Sequence, residues 1–440
     1  MLKESISGVR GIVGDGLTPE LLIAYCSAFA RILPRGPIVV GRDSRGSGGA
    51  ISNLVCGALR LASRDVIDIG VQATPTVEVY VDEVEAAGGI IITASHNPAE
   101  WNALKFLGRG GLFLDSKGFE QLLKAKGEKP SWSRYDGVGG YCFREDATEF
   151  HIERVLGLRF IDIDRIRSRR FRVVVDANGG TGGVALLPML HKLNCEVIEL
   201  NCIPDGNFIH GAEPIPEHLK SLGEEVRRTR ADLGLATDPD ADRLALVDEN
   251  GEAIGEEWTL ALGVAEVLNF ESGPVVVNLS TSAMVEALGR PVFRMPVGEI
   301  NVVMKMLEIG SPAGGEGNGG LIVPACHPGR DALLAAAVIL GRLARIGVSL
   351  SESRSAFPRL HMIKTKLTSH RQIDEKLFDE LVEKLAPQRT DFSDGIRLSW
   401  PERWVHIRSS NTEPIIRIIA EAPNESECRS LIGKVEAAMA

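Results

Sequence analysis

Short apolar runs recur along the chain, each closed by a glycine-rich or polar turn and then by a segment of helical period, and this pattern predicts strand-turn-helix units. The first run is Pro37 to Gly41 (PIVVG), followed by Arg42-Asp43-Ser44-Arg45-Gly46 and a helix of small residues reaching Ser63. Its companion, Gly88 to Ala94 (GGIIITA), runs directly into Ser95-His96-Asn97-Pro98. A second unit begins at Phe171 (FRVVVDANGGTGG), where Val173 to Val175 are wholly apolar and Gly179, Gly180, Gly182 and Gly183 permit a tight turn into a helix before Cys195. A third is Gly273 to Leu279 (GPVVVNL), after which Ser280, Thr281 and Ser282 offer an N-cap for the next helix. Strands without a polar face belong to parallel sheets covered by helices on both sides, so the fold class is α/β. Beyond about Pro358 the texture changes to charged segments with alternating strands near Trp404 to Arg408 and Ile415 to Ala420, which reads as a smaller α+β module. The expected divisions are residues 1–151, 152–255, 256–357 and 358–440.

Length and composition agree with several ordinary globular domains: 440 residues, 44% hydrophobic and 25% charged. The formal charge of -10 argues against general affinity for nucleic acid or an anionic membrane, both of which demand dense basic surfaces. A small anionic substrate remains compatible if arginines and backbone amides cluster locally. The seven cysteines are scattered and form no C-x-x-C pair, which reads as reduced thiols. No segment approaches the roughly 18 apolar residues of a membrane span, and the first ten residues lack a signal-peptide core. A cytoplasmic monomer or homodimer is expected.

Chemistry is suggested at five places. Thr93-Ala94-Ser95-His96-Asn97-Pro98 sits at the end of an apolar strand, where ligands collect in open α/β sheets. The Ser95 hydroxyl is a weak nucleophile that needs a base, a metal or an attached phosphoryl group; His96 adjoins it, and Lys105 follows on the same loop after Asn102. Thr237-Asp238-Pro239-Asp240-Ala241-Asp242-Arg243 sets carboxylates at alternate positions after Leu233 to Ala236. Three crowded carboxylates repel one another unless a cation neutralises them, and the absence of a calcium-type continuation favours Mg²⁺. Arg408-Ser409-Ser410-Asn411-Thr412-Glu413-Pro414, with Arg417 beyond, combines guanidinium groups with hydroxyls and an amide that donate to phosphate. Gly314-Gly315-Glu316-Gly317-Asn318-Gly319-Gly320 offers a carboxylate and an amide to sugar hydroxyls; Glu316 would repel a phosphate, and no Lys-Ser/Thr follows. Near the N-terminus, Arg10 lies between Gly8-Val9 and Gly11.

These segments, in this order, resemble the α-D-phosphohexomutase superfamily of phosphoglucomutases, phosphomannomutases and phosphoglucosamine mutases. The resemblance spans nearly the whole chain. It implies four domains in a heart-shaped arrangement, three related α/β domains with mixed or parallel sheets and a smaller C-terminal α+β one. It further implies that Ser95 carries the phosphoryl group and holds Mg²⁺ together with Asp238, Asp240 and Asp242. Lys105 and Arg10 then assist proton transfer at the sugar hydroxyl, with His96 and Arg243 counted in the same catalytic set. Glu316 and Asn318 fall at sugar-reading positions, and Arg408, Ser410, Asn411, Thr412 and Arg417 grip the phosphate that is not transferred. The implied reaction interconverts hexose 6-phosphate and hexose 1-phosphate through a hexose 1,6-bisphosphate. In one respect the chain departs from the pattern: many relatives end the sugar loop in Ser-Gly-His, whereas here Asn318-Gly319-Gly320 stands. This loop, with Asn102-Ala103-Leu104-Lys105, is similar to the phosphoglucosamine mutase branch, with glucose and mannose phosphates as the alternatives. A phosphatase is the rival enzyme, and a non-catalytic sugar-phosphate sensor is the rival of another class.

Overall fold

In the computed structural model, which describes residues 2–367, 375–409 and 416–439, four β-sheets follow one another along the chain. In the first, Ile38–Arg42, Val66–Val71, Gly88–Ile92 and Tyr141–Phe143 run parallel. Trp101–Leu107, Gly8–Val13 and Leu2–Ser5 extend it antiparallel beyond Gly88–Ile92. The second sheet has Glu196–Leu200, Arg172–Asp176 and Leu233–Thr237 parallel, with Leu244–Val247 returning antiparallel. The third has Val292–Met295, Val275–Asn278 and Ala313–Glu316 parallel, then Gly320–Val323 and His327–Arg330 antiparallel. Helices cover these sheets, and strand residues such as Val39, Ile91, Val174, Leu235 and Val276 are fully buried, as apolar runs without a polar face require.

The first three sheets are thus mixed rather than purely parallel. Each has a central parallel strand that ends in a site-bearing turn and then doubles back: Gly88–Ile92 to Trp101–Leu107, Leu233–Thr237 to Leu244–Val247, and Ala313–Glu316 to Gly320–Val323. A short turn can only return the chain antiparallel, since a parallel neighbour needs a long crossover. Two expectations change accordingly. Lys105 lies within the strand Trp101–Leu107, paired with Ile91, not on a loop, and the Gly314 to Gly320 segment is a hairpin. Arg10 likewise belongs to the strand Gly8–Val13, opposite Ala103. After Ser282 comes a six-residue 3₁₀ helix, Ala283–Leu288, whose Met284 amide the Ser282 hydroxyl caps.

The fourth sheet is antiparallel throughout, in the order His361–Leu367, Ile416–Ala422, Arg403–Ser409, Ile396–Trp400, Arg389–Asp391. It packs helices Glu375–Leu385 and Glu425–Met439 over a core that includes Ile407, Ile418 and Val435. The division expected near Ile152 falls inside the helix Ala147–Leu156. All seven cysteines are free, and among the described residues no single helix is long and apolar enough to cross a membrane.

Candidate active site

Ser95 stands just past the end of Gly88–Ile92 with φ 50°, a left-handed conformation that costs a non-glycine residue about 1–3 kcal/mol and persists only where its surroundings impose it. Those surroundings are explicit. The Ser95 amide donates to Thr93 Oγ1 at 2.9 Å, and Thr93 Oγ1 donates to Asp43 Oδ2 at 2.6 Å. Arg45, fully buried and paired with Asp43 at 3.0 Å, donates to the carbonyls of Ser95 (2.5 Å), Pro98 (2.6 Å), Asn97 (2.7 Å) and Trp101 (3.0 Å). The charged turn after the first apolar strand is therefore the staple that shapes the serine loop. The sequence displayed Asp43 and Arg45 but offered no sign of that task, because their acceptors lie some fifty residues away.

The turn after Leu233–Thr237 brings Asp238, Asp240 and Asp242, all buried, within 4.8 Å of one another. Ala241, at φ 51°, bends the backbone so that alternate residues converge. Ser95 Oγ donates to Asp238 Oδ2 at 3.2 Å across 143 residues of chain. Thr74 from the first sheet's helix layer holds this loop twice, its amide donating to the Asp240 carbonyl and its hydroxyl to Asp240 Oδ2, each at 2.8 Å. Lys105 Nζ reaches the same Oδ2 at 2.7 Å and Asp242 at 4.0 Å.

The electrostatics follow from burial and crowding. Burial, with Asp242 and Asp240 close by, raises the Asp238 carboxyl well above its ordinary value. Burial acts the same way on Asp240, but Lys105 outweighs it and holds that carboxylate low; reciprocally, Asp240 and Asp242 outweigh desolvation and keep Lys105 charged. Desolvation, then Arg243 and Arg10, depress His96 well below the usual histidine range. Its neutral ring accepts from Arg243 Nη2 at 3.1 Å, and its Nδ1 lies 3.4 Å from Ser95 Oγ. Arg243 also sits 3.6 Å from Asp242 and 3.8 Å from Asp238. Arg10 donates to Asn97 Oδ1 and the Ser7 carbonyl, each at 3.4 Å.

Asp240 Oδ1 and Asp242 Oδ1 are buried with no hydrogen-bond partner. An unsatisfied buried carboxylate oxygen is costly, and hard oxygen donors in this number suit a hard divalent cation. The residues present therefore fit Mg²⁺.

Glu316 ends the strand Ala313–Glu316. Its Oε1 accepts from Asn278 Nδ2 at 2.9 Å and the Gly298 amide at 3.0 Å, and its Oε2 accepts from Arg330 Nη1 at 3.0 Å. Asn318 Oδ1 is buried without a partner. Arg330 and Glu299 are residues that sequence reasoning passed over. Arg330, at the end of His327–Arg330, also donates to Asp242 Oδ2 at 2.5 Å and through Nε to Glu299 Oε2 at 3.0 Å. Burial opposes its charge, but Asp242, Glu299 and Glu316 raise its pKa further still. The signal available was a lone Gly329-Arg330-Asp331 after an apolar strand, too common to single out.

In the fourth sheet Arg408 and Arg417 lie directly opposite on adjacent strands. The Nε of each is buried without a partner among the described residues, so two cations lie side by side where an anion would be stabilised. Ser410, Asn411 and Thr412 lie outside the described residues.

Strand-end turns from three α/β domains, carrying a serine, an acidic triplet and a buried carboxylate, define the class as a phosphate-handling α/β enzyme with a separate C-terminal domain. Family models named phosphoglucomutase/phosphomannomutase match throughout: alpha/beta/alpha domain I over residues 2–130, domain II over 149–251, domain III over 265–360, and the C-terminal domain over 362–438. The chain belongs to the phosphoglucomutase/phosphomannomutase family, within the α-D-phosphohexomutases, and is an isomerase of the phosphohexomutase type. It is 35% identical to the phosphoglucomutase/phosphomannomutase of Thermococcus kodakarensis, with 97% of this chain and 95% of the relative aligned. It is 36% identical to the probable phosphoglucosamine mutase of Methanopyrus kandleri, with the same coverage. A crystal structure of a phosphoglucomutase/phosphomannomutase family protein from Burkholderia thailandensis superimposes with a TM-score of 0.84 at 26% identity, over 99% of this chain and 97% of that one.

Proposed function

We propose that this chain interconverts glucosamine 6-phosphate and glucosamine 1-phosphate, with Ser95 as the carrier of the phosphoryl group. The observation that supports this most directly is the approach of Ser95 Oγ to within 3.2 Å of Asp238, beside two buried carboxylate oxygens that accept no hydrogen bond within the protein. Asp238, Asp240, Asp242 and the Ser95 phosphate would hold Mg²⁺, which supplies charge neutralisation for phosphoryl transfer.

In the proposed reaction the P–Oγ bond of phospho-Ser95 breaks as a P–O bond forms to the free hydroxyl of the hexose monophosphate. The hydroxyl proton ends on the Ser95 oxygen that the phosphoryl group leaves, Lys105 and Arg10 assisting the transfer as cations beside the hydroxyl, and a hexose 1,6-bisphosphate results. That intermediate turns end for end, and its other phosphate returns to Ser95, so the phosphate has moved between O6 and O1. Arg408 and Arg417, with Ser410, Asn411 and Thr412, grip whichever phosphate is not reacting. Glu316 and Asn318 read the sugar ring. Three of the roughly four acceptor sites of the Glu316 carboxylate are filled, so one stays open, and Asn318 Oδ1 adds another. Two acceptors on one hairpin suit a ring bearing an ammonium group, and this, together with the Glu-Gly-Asn-Gly-Gly sequence of that hairpin, favours glucosamine over glucose or mannose. A cytoplasmic location is part of the same proposal.

Comparing kcat/KM across glucosamine, glucose and mannose phosphates with purified protein tests the choice of sugar. Glucosamine phosphate should lead by about tenfold or more, as about 1.4 kcal/mol of discrimination would give. Faster turnover of glucose or mannose phosphate would overturn it. Release of inorganic phosphate in place of isomerised product would mark a phosphatase.

A further inference from the structure

Gly320 is not a glycine for its backbone, which lies outside the left-handed region. Space is the reason. A Cβ at position 320 would stand 2.4 Å from Cδ and 2.9 Å from Cγ of Arg330, and 3.3 Å from Asn318 Oδ1. Arg330 pairs with Ile322 on the neighbouring antiparallel strand, so Gly320 is its diagonal neighbour on the same face. The arginine stem passes over the glycine, and the guanidinium forks beyond it.

At the far end of that stem three carboxylates from three segments converge. Nη2 donates to Asp242 Oδ2 at 2.5 Å, Nη1 to Glu316 Oε2 at 3.0 Å and Nε to Glu299 Oε2 at 3.0 Å, while the Arg330 amide donates to Glu299 Oε1 at 2.9 Å. Asp242 belongs to the acidic triplet of the second domain; Glu316 belongs to the sugar hairpin of the third. With Oδ2 committed to the arginine, Asp242 presents Oδ1, an oxygen that accepts no hydrogen bond and has only Arg243 Nε near it, at 3.6 Å. Glu299, anchored at both oxygens, fixes the guanidinium in turn.

We infer that Arg330 is a positioning residue that joins the metal-facing carboxylate of Asp242 to the sugar-reading carboxylate of Glu316, in the room that a side chain at position 320 would otherwise occupy. The inference rests on the site roles proposed above. Its consequence is that metal-dependent chemistry and sugar recognition are linked through one rigid fork, which an ammonium cannot reproduce because it is not a planar bidentate donor.

The test compares full-length Gly320→His, Arg330→Ala, Arg330→Lys and the Gly320→His/Arg330→Ala pair in steady-state kinetics. Arg330→Ala should lower kcat and raise KM for the hexose phosphate together, reducing kcat/KM about 30-fold or more, the ratio that about 2 kcal/mol of lost charge-assisted bonding gives. Arg330→Lys should recover less than half of that loss on a logarithmic scale. Gly320→His should be the poorest single variant, and removing Arg330 from it should restore activity about tenfold, since the two side chains compete for the same volume. A double variant no better than Gly320→His, or an Arg330→Ala effect confined to kcat or to KM alone, overturns the inference. Should Gly320→His fail to fold, as judged by circular dichroism, the kcat and KM of Arg330→Ala and Arg330→Lys decide it. Absence of any hexose-phosphate mutase activity in the unsubstituted chain would instead remove the functional reading beneath it.

Discussion

Asp238, Asp240 and Asp242 bring three buried donor atoms within 4.8 Å of one another, and His151, Cys326 and Asp331 do the same elsewhere in the molecule. By proximity and burial the two clusters are alike. Their hydrogen bonding differs. His151 gives one ring nitrogen to Thr76 Oγ1 at 2.9 Å and the other to Asp331 Oδ2 at 2.8 Å. Asp331 Oδ1 accepts the amides of Leu333 at 2.8 Å and Leu334 at 3.1 Å, capping the helix Ala332–Ile346. Burial pushes the Cys326 thiol far up, so it keeps its proton and is a poor metal ligand. That cluster is a structural joint binding the helices Thr74–Glu83, Ala147–Leu156 and Ala332–Ile346. The aspartate triplet, by contrast, leaves Asp240 Oδ1 and Asp242 Oδ1 without a hydrogen bond in the protein. Leftover acceptor capacity, not closeness alone, distinguishes a cation site from a buried joint.

The sharpest way to break this comparison is at the serine. Ser95→Ala should lower mutase turnover by about 10³-fold or more, with the melting temperature unchanged, because only the phosphoryl carrier is lost. Wild-type turnover in that variant would detach Ser95 from the chemistry. Next in size, Asp240→Asn should cost about 10²-fold in kcat and abolish the rise in melting temperature produced by Mg²⁺. Replacing Asp331 by Asn should leave that Mg²⁺-induced rise intact; its disappearance would mean that the joint, too, holds the ion.

In the joint the main effect should appear in stability. Asp331→Ala removes a helix cap and leaves His151 short of a partner, so a loss of about 2–4 kcal/mol in urea unfolding is expected, with activity per folded molecule within about twofold. A smaller signature comes from pH. His327, which meets Glu78 Oε2 at 2.9 Å beside this joint, is lowered by burial to about 3 from an ordinary 6.5, and His406 to about 4. The unfolded chain takes up these protons near 6.5, while the folded chain resists until far lower pH. The stability is therefore complete above about 6.5 and declines as pH falls from there toward 3 to 4. Melting temperatures between pH 7.5 and 5 should fall, and His327→Gln should make the decline shallower; an equal slope would show that His327 does not contribute.

How much of this was legible in the sequence differs from residue to residue. Apolar runs such as Val173 to Val175 fixed strands because a run without a polar face has nowhere to go but between two helix layers. The triplet Asp238, Asp240 and Asp242 was legible because its members are local and chemically implausible without a cation. Lys105 reads as loop in the sequence and lies in a strand, since the polar residues Asn102 and Lys105 interrupt the apolar pattern of Trp101–Leu107 although both are buried. Arg45, Glu299 and Arg330 carried no local signal specific enough to single them out.

The sequence by itself determined the α/β class, the terminal α+β module, and the serine and acidic motifs that resemble the phosphohexomutases, because each depends on residues within a few positions of one another. Only the tertiary structure decided that Ser95 meets Asp238, that Arg330 takes the space over Gly320, and that one three-ligand cluster is satisfied while another is not. Those outcomes depend on distances between segments separated by tens to hundreds of residues, and on counting which buried polar atoms have partners. Periodicity and composition carry neither quantity; packing alone sets both.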